Sequence, residues 1–261
     1  MIRRFLTKGA ALTFGAALLM VAPAGVQAQF GPPPAQAPRP AKQAAPEDLT
    51  GYWVSIVTED WRWRMVTPAK GDYTSVPLSQ AGRKAADAWD PDKDIAAGNQ
   101  CKAYGAAAIM RVPGRVHITW VDDNTLKVET DAGTQTRTFH FNAKAPEHEA
   151  ASWQGYSDAV WDGLRPAPRR GGGPAPAGGS LKVVTTNMKP GYLRKNGVPY
   201  GSNAVLTEYY DRTNEPNGDS WLIVTTIVHD PDNLYQDFVT STHFKMEKDG
   251  SKWSPSACEA K

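Results

Sequence analysis

The hydrophobic pattern of this chain repeats every two residues over most of its second half. Val116-His117-Ile118-Thr119-Trp120 puts Val116, Ile118 and Trp120 on one face of an extended segment. Thr125 to Thr130 alternates in the same way, with Leu126 and Val128 opposite Lys127 and Glu129. Asp131-Ala132-Gly133 supplies a turn, and Thr134 to Phe141 returns as the partner strand of a hairpin. β-Branched and aromatic content predicts four more strands, at Leu181 to Asn187, Ala204 to Arg212, Trp221 to Val228 and Phe238 to Met246. Turn residues separate them at Lys189-Pro190-Gly191, Asn214 to Gly218 and Asp230-Pro231-Asp232. Leu49 to Met65 supplies one or two opening strands. Leu78 to Trp89 is the one short helix predicted, stopped by Asp90-Pro91.

Eight or nine mainly antiparallel strands with long loops define an all-β domain over residues 47–261. A closed or partly closed barrel is favoured over a sandwich, because closure leaves no unpaired edge. An internal echo fits two similar meanders. Leu126 to Thr130 reads like Leu181 to Thr185, and Thr138-Phe139-His140-Phe141 reads like Ser241-Thr242-His243-Phe244. The alternative is chance similarity between strands.

Two stretches lack the pattern. Residues 29–46, rich in Pro, Ala and Gln, carry too little apolar surface to fold and read as a disordered linker. Residues 165–179 form an Arg/Pro/Gly run that reads as a solvated loop. Before the linker, residues 1–28 have the three parts of a signal peptide. Arg3, Arg4 and Lys8 precede the apolar run from Ala10 to Val21, and Val26-Gln27-Ala28 offers a cleavage site. The run is short for a membrane span, so the mature protein is expected to be periplasmic or secreted, with no span.

Removing that leader takes three cations from a chain of formal charge +2, leaving −1. The mature domain therefore has no field to gather nucleic acid. Two cysteines, Cys101 and Cys258, are expected to form a disulfide in an oxidising compartment.

Two resemblances extend this reading. Asp48-Leu49-Thr50-Gly51-Tyr52-Trp53 resembles the Gly-x-Trp opening of lipocalin-like barrels. That likeness implies a Trp53 that plugs the barrel floor. Trp153-Gln154-Gly155-Tyr156-Ser157, Trp161-Asp162-Gly163 and Leu181 to Asn187 look like a largely uncharacterised family of exported bacterial lipocalin-like β-barrel proteins. Thr207 to Arg212 and Thr225 to Pro231 look similar too, so the likeness covers most of Leu49 to Lys245. The Arg/Pro/Gly run after Gly163 departs from that pattern. The resemblance implies the fold and export rather than a reaction.

Candidate chemistry is scattered. The chain has no Gly-x-Ser-x-Gly elbow, phosphate loop, Rossmann glycines or His-Glu-x-x-His, and no zinc-site cysteine spacing. No cofactor or metal is expected. His140 and His243 can face a common interior if the barrel closes, with His117 and His229 near strand ends. Converging imidazoles would make a metal site or an acid–base pair, whereas separated ones are ordinary hydrogen-bonded strand residues. His148 falls in a polar segment.

Alternation puts Leu206, Glu208, Tyr210 and Arg212 on one face of their strand. Glu208 can be a general base beside Tyr210, or an ion pair with Arg137, which shares a face with Phe139 and Phe141. His229-Asp230 at a strand end suits proton transfer, or else Asp230 simply starts the turn before Pro231. With nine Trp and nine Tyr, the chain is rich in aromatic surface. In Trp61-Arg62-Trp63-Arg64, strand alternation would put both Trp on one face, lining a ligand cavity or filling a core. Tyr192, after the turn at Pro190-Gly191, completes the ligand-binding set.

Two functions follow. One is an exported protein holding a mostly apolar or aromatic small molecule, with Arg137, Glu208 and a Tyr orienting its polar end. The other is a periplasmic lyase, isomerase or hydrolase using His140, His243, His229, Asp230 or Glu208 as acid and base. A structural role in the envelope is a third possibility.

Overall fold

A computed structural model describes residues 39–146, 150–163 and 179–261. The leader, most of the linker, His148 and nearly all of the Arg/Pro/Gly run lie outside the described residues. Eleven strands are seen: β1 (Gly51–Ile56), β2 (Arg115–Asp122), β3 (Thr125–Thr130), β4 (Gln135–Phe141), β5 (Tyr156–Asp162), β6 (Ser180–Thr186), β7 (Gly191–Arg194), β8 (Val198–Tyr200), β9 (Val205–Asn214), β10 (Ser220–His229) and β11 (Phe238–Glu247). Nine of them close a barrel in the order β1-β11-β10-β9-β6-β5-β4-β3-β2, and β7 and β8 form a separate hairpin. The all-β closed barrel expected from alternation is therefore the fold, and it is consistent with the lipocalin-like architecture that the Gly-x-Trp resemblance implies.

Closure rests on β1. It pairs with β2 through Trp53 opposite Val116, and with β11 through Trp53 opposite Met246. No edge of the main sheet is left to pair with another chain. Every barrel ladder is antiparallel except β4–β5, where Phe139, His140 and Phe141 run parallel to Ser157, Asp158 and Ala159. β5 was not among the strands expected from periodicity. Its small or polar residues Ser157 and Ala159 face in, and Val160 faces out, so its pattern runs against the usual one.

One end of the barrel is closed by the N-terminal segment. A four-residue helix, α1 (Ala41–Ala44), lies there with Ala41 buried. Trp161 Nε1 donates to Ala41 O at 2.8 Å, and Ala41 N donates to Asn124 Oδ1 at 3.0 Å. The last residues of the expected disordered linker are thus packed, because Ala41 supplies the apolar plug that composition alone undervalued. Trp53 is fully buried at this end, and its indole N–H donates to Leu49 O at 3.0 Å. The Arg212 guanidinium sits 5.7 Å above the ring.

The opposite end is closed by residues 57–113, the β7–β8 hairpin and the C-terminal tail. The expected helix is present as α3 (Gln80–Asp87), with Ser79 Oγ capping Gly82 N at 3.1 Å. It is not alone. α2 (Trp61–Arg64) precedes it, and α4 (Pro91–Ala96), a 3-10 turn (Gln100–Tyr104) and α5 (Ala106–Ile109) follow. The Trp-Arg-Trp-Arg segment is therefore helical, not a strand, and its two Trp do not share a strand face. None of these helices is long and apolar enough to cross a membrane.

The disulfide Cys101–Cys258 fastens the tail to this end. Beside it, Gly133 turns β3 into β4 at φ +72°, and a Cβ there would lie 2.2 Å from Tyr104 Cδ1. Gly133→Ala should lower unfolding free energy by about 2 kcal/mol, from backbone strain plus overlap with a buried ring. Urea denaturation would show it; an unchanged midpoint would mean that the turn and ring relax freely.

Candidate functional site

The barrel interior is where strand alternation places the candidate polar residues. Arg137 on β4 and Glu208 on β9 do face each other across it. Arg137 Nη1 donates to Glu208 Oε1 at 3.0 Å and Nη2 donates to Glu208 Oε2 at 2.6 Å, a bidentate pair. Tyr210 OH donates to Glu208 Oε1 at 3.2 Å, and Arg137 Nη2 donates to Thr185 Oγ1 at 3.2 Å. Thr185 in turn shares a 2.8 Å hydrogen bond with Ser157. Burial raises the Tyr210 pKa well above that of a free phenol, and the nearby Glu208 carboxylate pushes it the same way. Burial alone would weaken the Arg137 charge, but Glu208 and then Tyr210 more than reverse that, so its pKa is raised.

In this network both terminal nitrogens of Arg137 are paired, while its Nε is buried without an acceptor. Trp53, Arg137, Phe139, Tyr210 and Phe244 are among the largest fully buried side chains, and they fill the lumen. Glu208 has its acceptors occupied by a guanidinium and a phenol. It forms a buried ion pair that links β4 to β9 across the interior.

The histidines do not converge. Side chains on β4 alternate, so His140 points out while Arg137 and Phe139 point in; His140 stacks on Tyr156 at 5.0 Å. His243 also points outward, 3.2 Å from Glu59. His117 stacks outside the barrel on Tyr52 at 4.0 Å. His229 contacts Asp237 at 2.7 Å, not Asp230. Asp230 instead accepts from Gly201 N at 2.8 Å and Asn233 Nδ2 at 2.9 Å, organising its turn. The shared interior expected for His140 and His243 is contradicted by the parity of their strands. Among the described residues no three His, Cys, Asp or Glu side chains gather to hold a metal ion.

The site that does assemble lies at the stoppered end, outside the lumen. A cleft of about 310 Å³ opens between α2 and the loop after it, α5 and its following loop, β7, and the C-terminal tail. Trp63, Met65, Val66, Pro68, Tyr104 and Leu193 give it apolar and aromatic walls. Arg64, Arg111, Arg194 and Lys195 also line it. Of the expected ligand-binding residues, Trp63 lines this cleft and Trp61 stands exposed one helical step away. Tyr192 does not line it; its hydroxyl donates to Asp94 Oδ2 at 2.7 Å, under Lys102. Arg137 and Tyr210 are sealed in the lumen.

The three arginines are deeply placed. Arg64 Nε donates to Arg111 O at 2.9 Å and its guanidinium pairs with Glu59. Arg111 Nη2 donates to Asp60 Oδ2 at 2.9 Å. Asp60 itself adopts a left-handed conformation, φ 51°, tolerated by Asp better than by most residues. Arg194 Nη1 donates to Thr74 O at 2.7 Å, and its guanidinium stacks 5.1 Å from the Trp63 ring. Burial, aided by repulsion from Arg111, lowers the pKa of both Arg64 and Arg194 to about 10.

Comparison with protein-family models, with curated proteins and with solved structures finds no match to this chain. The geometry alone therefore carries the functional argument. Sequence reading missed Arg111 and Arg194 as site residues. A faint signal was present: Arg111 interrupts the apolar run Ala106 to Pro113, and a lone cation in such a run must be paired or serve a ligand.

Proposed function

We propose that this is an exported small-molecule-binding protein that holds an apolar or aromatic ligand in the cleft at the stoppered end of its barrel. The leader-like residues 1–28 and the Cys101–Cys258 bond support export. The observation that carries the binding reading is the half-open 310 Å³ cleft, walled by Trp63, Leu193 and Tyr104, beside a lumen packed with buried side chains. Binding thus moves from the lumen, where sequence reading placed it, to the barrel's end. The acid–base alternative has nothing comparable behind it, since His140, His243, His229 and Glu208 occupy four separate places.

A neutral solvatochromic dye tests the reading. Wild-type protein should bind it with a blue-shifted, saturable signal. Ala257→Trp and Thr67→Trp, at exposed positions on the cleft wall, should weaken binding about tenfold or more by filling the space. Folded variants that bind the dye as well as wild type would put the site elsewhere.

A further inference from the structure

Among the described residues every buried cation except one has a carboxylate within ion-pair distance, as do Arg62 and Lys195 nearer the surface, and the exception lines the cleft. Arg62 pairs with Asp72 at 3.2 Å, Arg64 with Glu59, Arg111 with Asp60 at 2.9 Å and Lys195 with Glu259 at 3.8 Å. Arg194 has no carboxylate within ion-pair distance among the described residues. It is only 5 % exposed, as is Arg111, so water does not compensate for the missing partner.

The hydrogen bonds are incomplete in the same place. Arg194 Nε and Nη2 and Arg111 Nη1 are buried with no acceptor. Guanidinium donors left unpaired in a protein interior are costly, and a native fold that keeps three in one wall is short of an acceptor there. Burial and mutual repulsion already disfavour the charged arginines, as their lowered pKa values record. An anion entering beside them would relieve both deficits.

We infer that the cleft binds a monoanionic organic acid, its aromatic or apolar body against Trp63 and Leu193 and its carboxylate on the free donors of Arg194 and Arg111. The charge count sets the class. One cation lacks a partner, so one negative charge neutralises the wall, whereas a dianion would overshoot it. The donors set the head group: Arg194 offers Nε and Nη2 together, the edge that takes a planar carboxylate bidentately. This rests on the cleft being the ligand site.

The test uses 2-naphthoate and its uncharged isostere 2-naphthamide, titrated calorimetrically into the full mature protein at pH 7. Naphthoate should bind about tenfold to a hundredfold tighter than naphthamide, the range expected for charge-assisted hydrogen bonds in a buried setting. Arg194→Gln should abolish that preference, so that naphthoate and naphthamide bind the variant with equal affinity, and Arg194→Lys should restore part of it. Should Arg194→Gln fail to fold, the wild-type melting temperature serves, with naphthoate expected to raise it more than naphthamide does. Equal affinities in wild type would overturn the carboxylate assignment and leave the apolar cleft standing. If neither compound binds or displaces the neutral dye, the cleft reading itself falls.

Discussion

Glu208→Leu is expected to lower the unfolding free energy by about 3–5 kcal/mol, because it leaves the Arg137 charge buried and uncompensated in a full lumen. The loss comes from what remains, not from what is removed. Glu208 holds both terminal nitrogens of Arg137, and the next acceptors, Thr185 and Tyr210, are neutral. Arg137→Met should cost a comparable amount by stranding the carboxylate. The double variant Arg137→Met/Glu208→Leu should recover most of the loss, since apolar side chains of similar volume replace a desolvated pair. Urea unfolding of all four proteins closes the cycle. A double variant as unstable as the sum of the singles would mean that the pair does not act as a unit. That result would also reopen a role for Glu208 beyond holding β4 against β9.

This pair was visible in the sequence because parity is visible. On β9, Leu206, Glu208 and Tyr210 alternate with exposed neighbours, and on β4 Arg137 shares its parity with Phe139 and Phe141. The same counting already excluded His140 from the interior, since it stands one residue from Phe139. The internal echo led the other way by aligning His140 with His243. Both do occupy matching positions, but on the outer surface. Two-residue periodicity fails where an element is too short to show a period. Trp61 to Arg64 alternates as a strand would, yet a single helical turn fits the same letters, and Arg64 turns inward to Ser55 at 3.2 Å. It fails again at β5, where a hydroxyl faces the Arg137 network and a valine faces water. The cleft was invisible for a different reason. Its walls come from residues near positions 63–68, 104–113, 193–195 and 256–259, brought together only by how loops close over the barrel's end. No local pattern encodes such a meeting, although each buried arginine hinted at one.

Breaking the Cys101–Cys258 bond should cost both stability and affinity. It closes a sequence separation of 157 residues, so the chain-entropy argument assigns it about 5 kcal/mol, which Cys101→Ser/Cys258→Ser should lose in urea unfolding. The local consequence is more informative. After Trp253 the chain has no strand or helix and is held by a few hydrogen bonds: Ser256 N to Asp131 O at 2.9 Å, Thr134 Oγ1 to Ser256 O at 2.8 Å, and Glu259 N to Tyr104 OH at 3.3 Å. That tail supplies Ser256, Ala257 and Glu259 to the cleft. Without the covalent tie its wall must be ordered at each binding event, and dye affinity should fall several-fold even where the barrel stays folded. The two readouts separate global from local effects. Lost stability with unchanged affinity would show that the tail is not a wall of the site. Weakened binding in a protein still folded at the assay temperature would place the disulfide at the ligand's side, holding the cleft in the shape that binds.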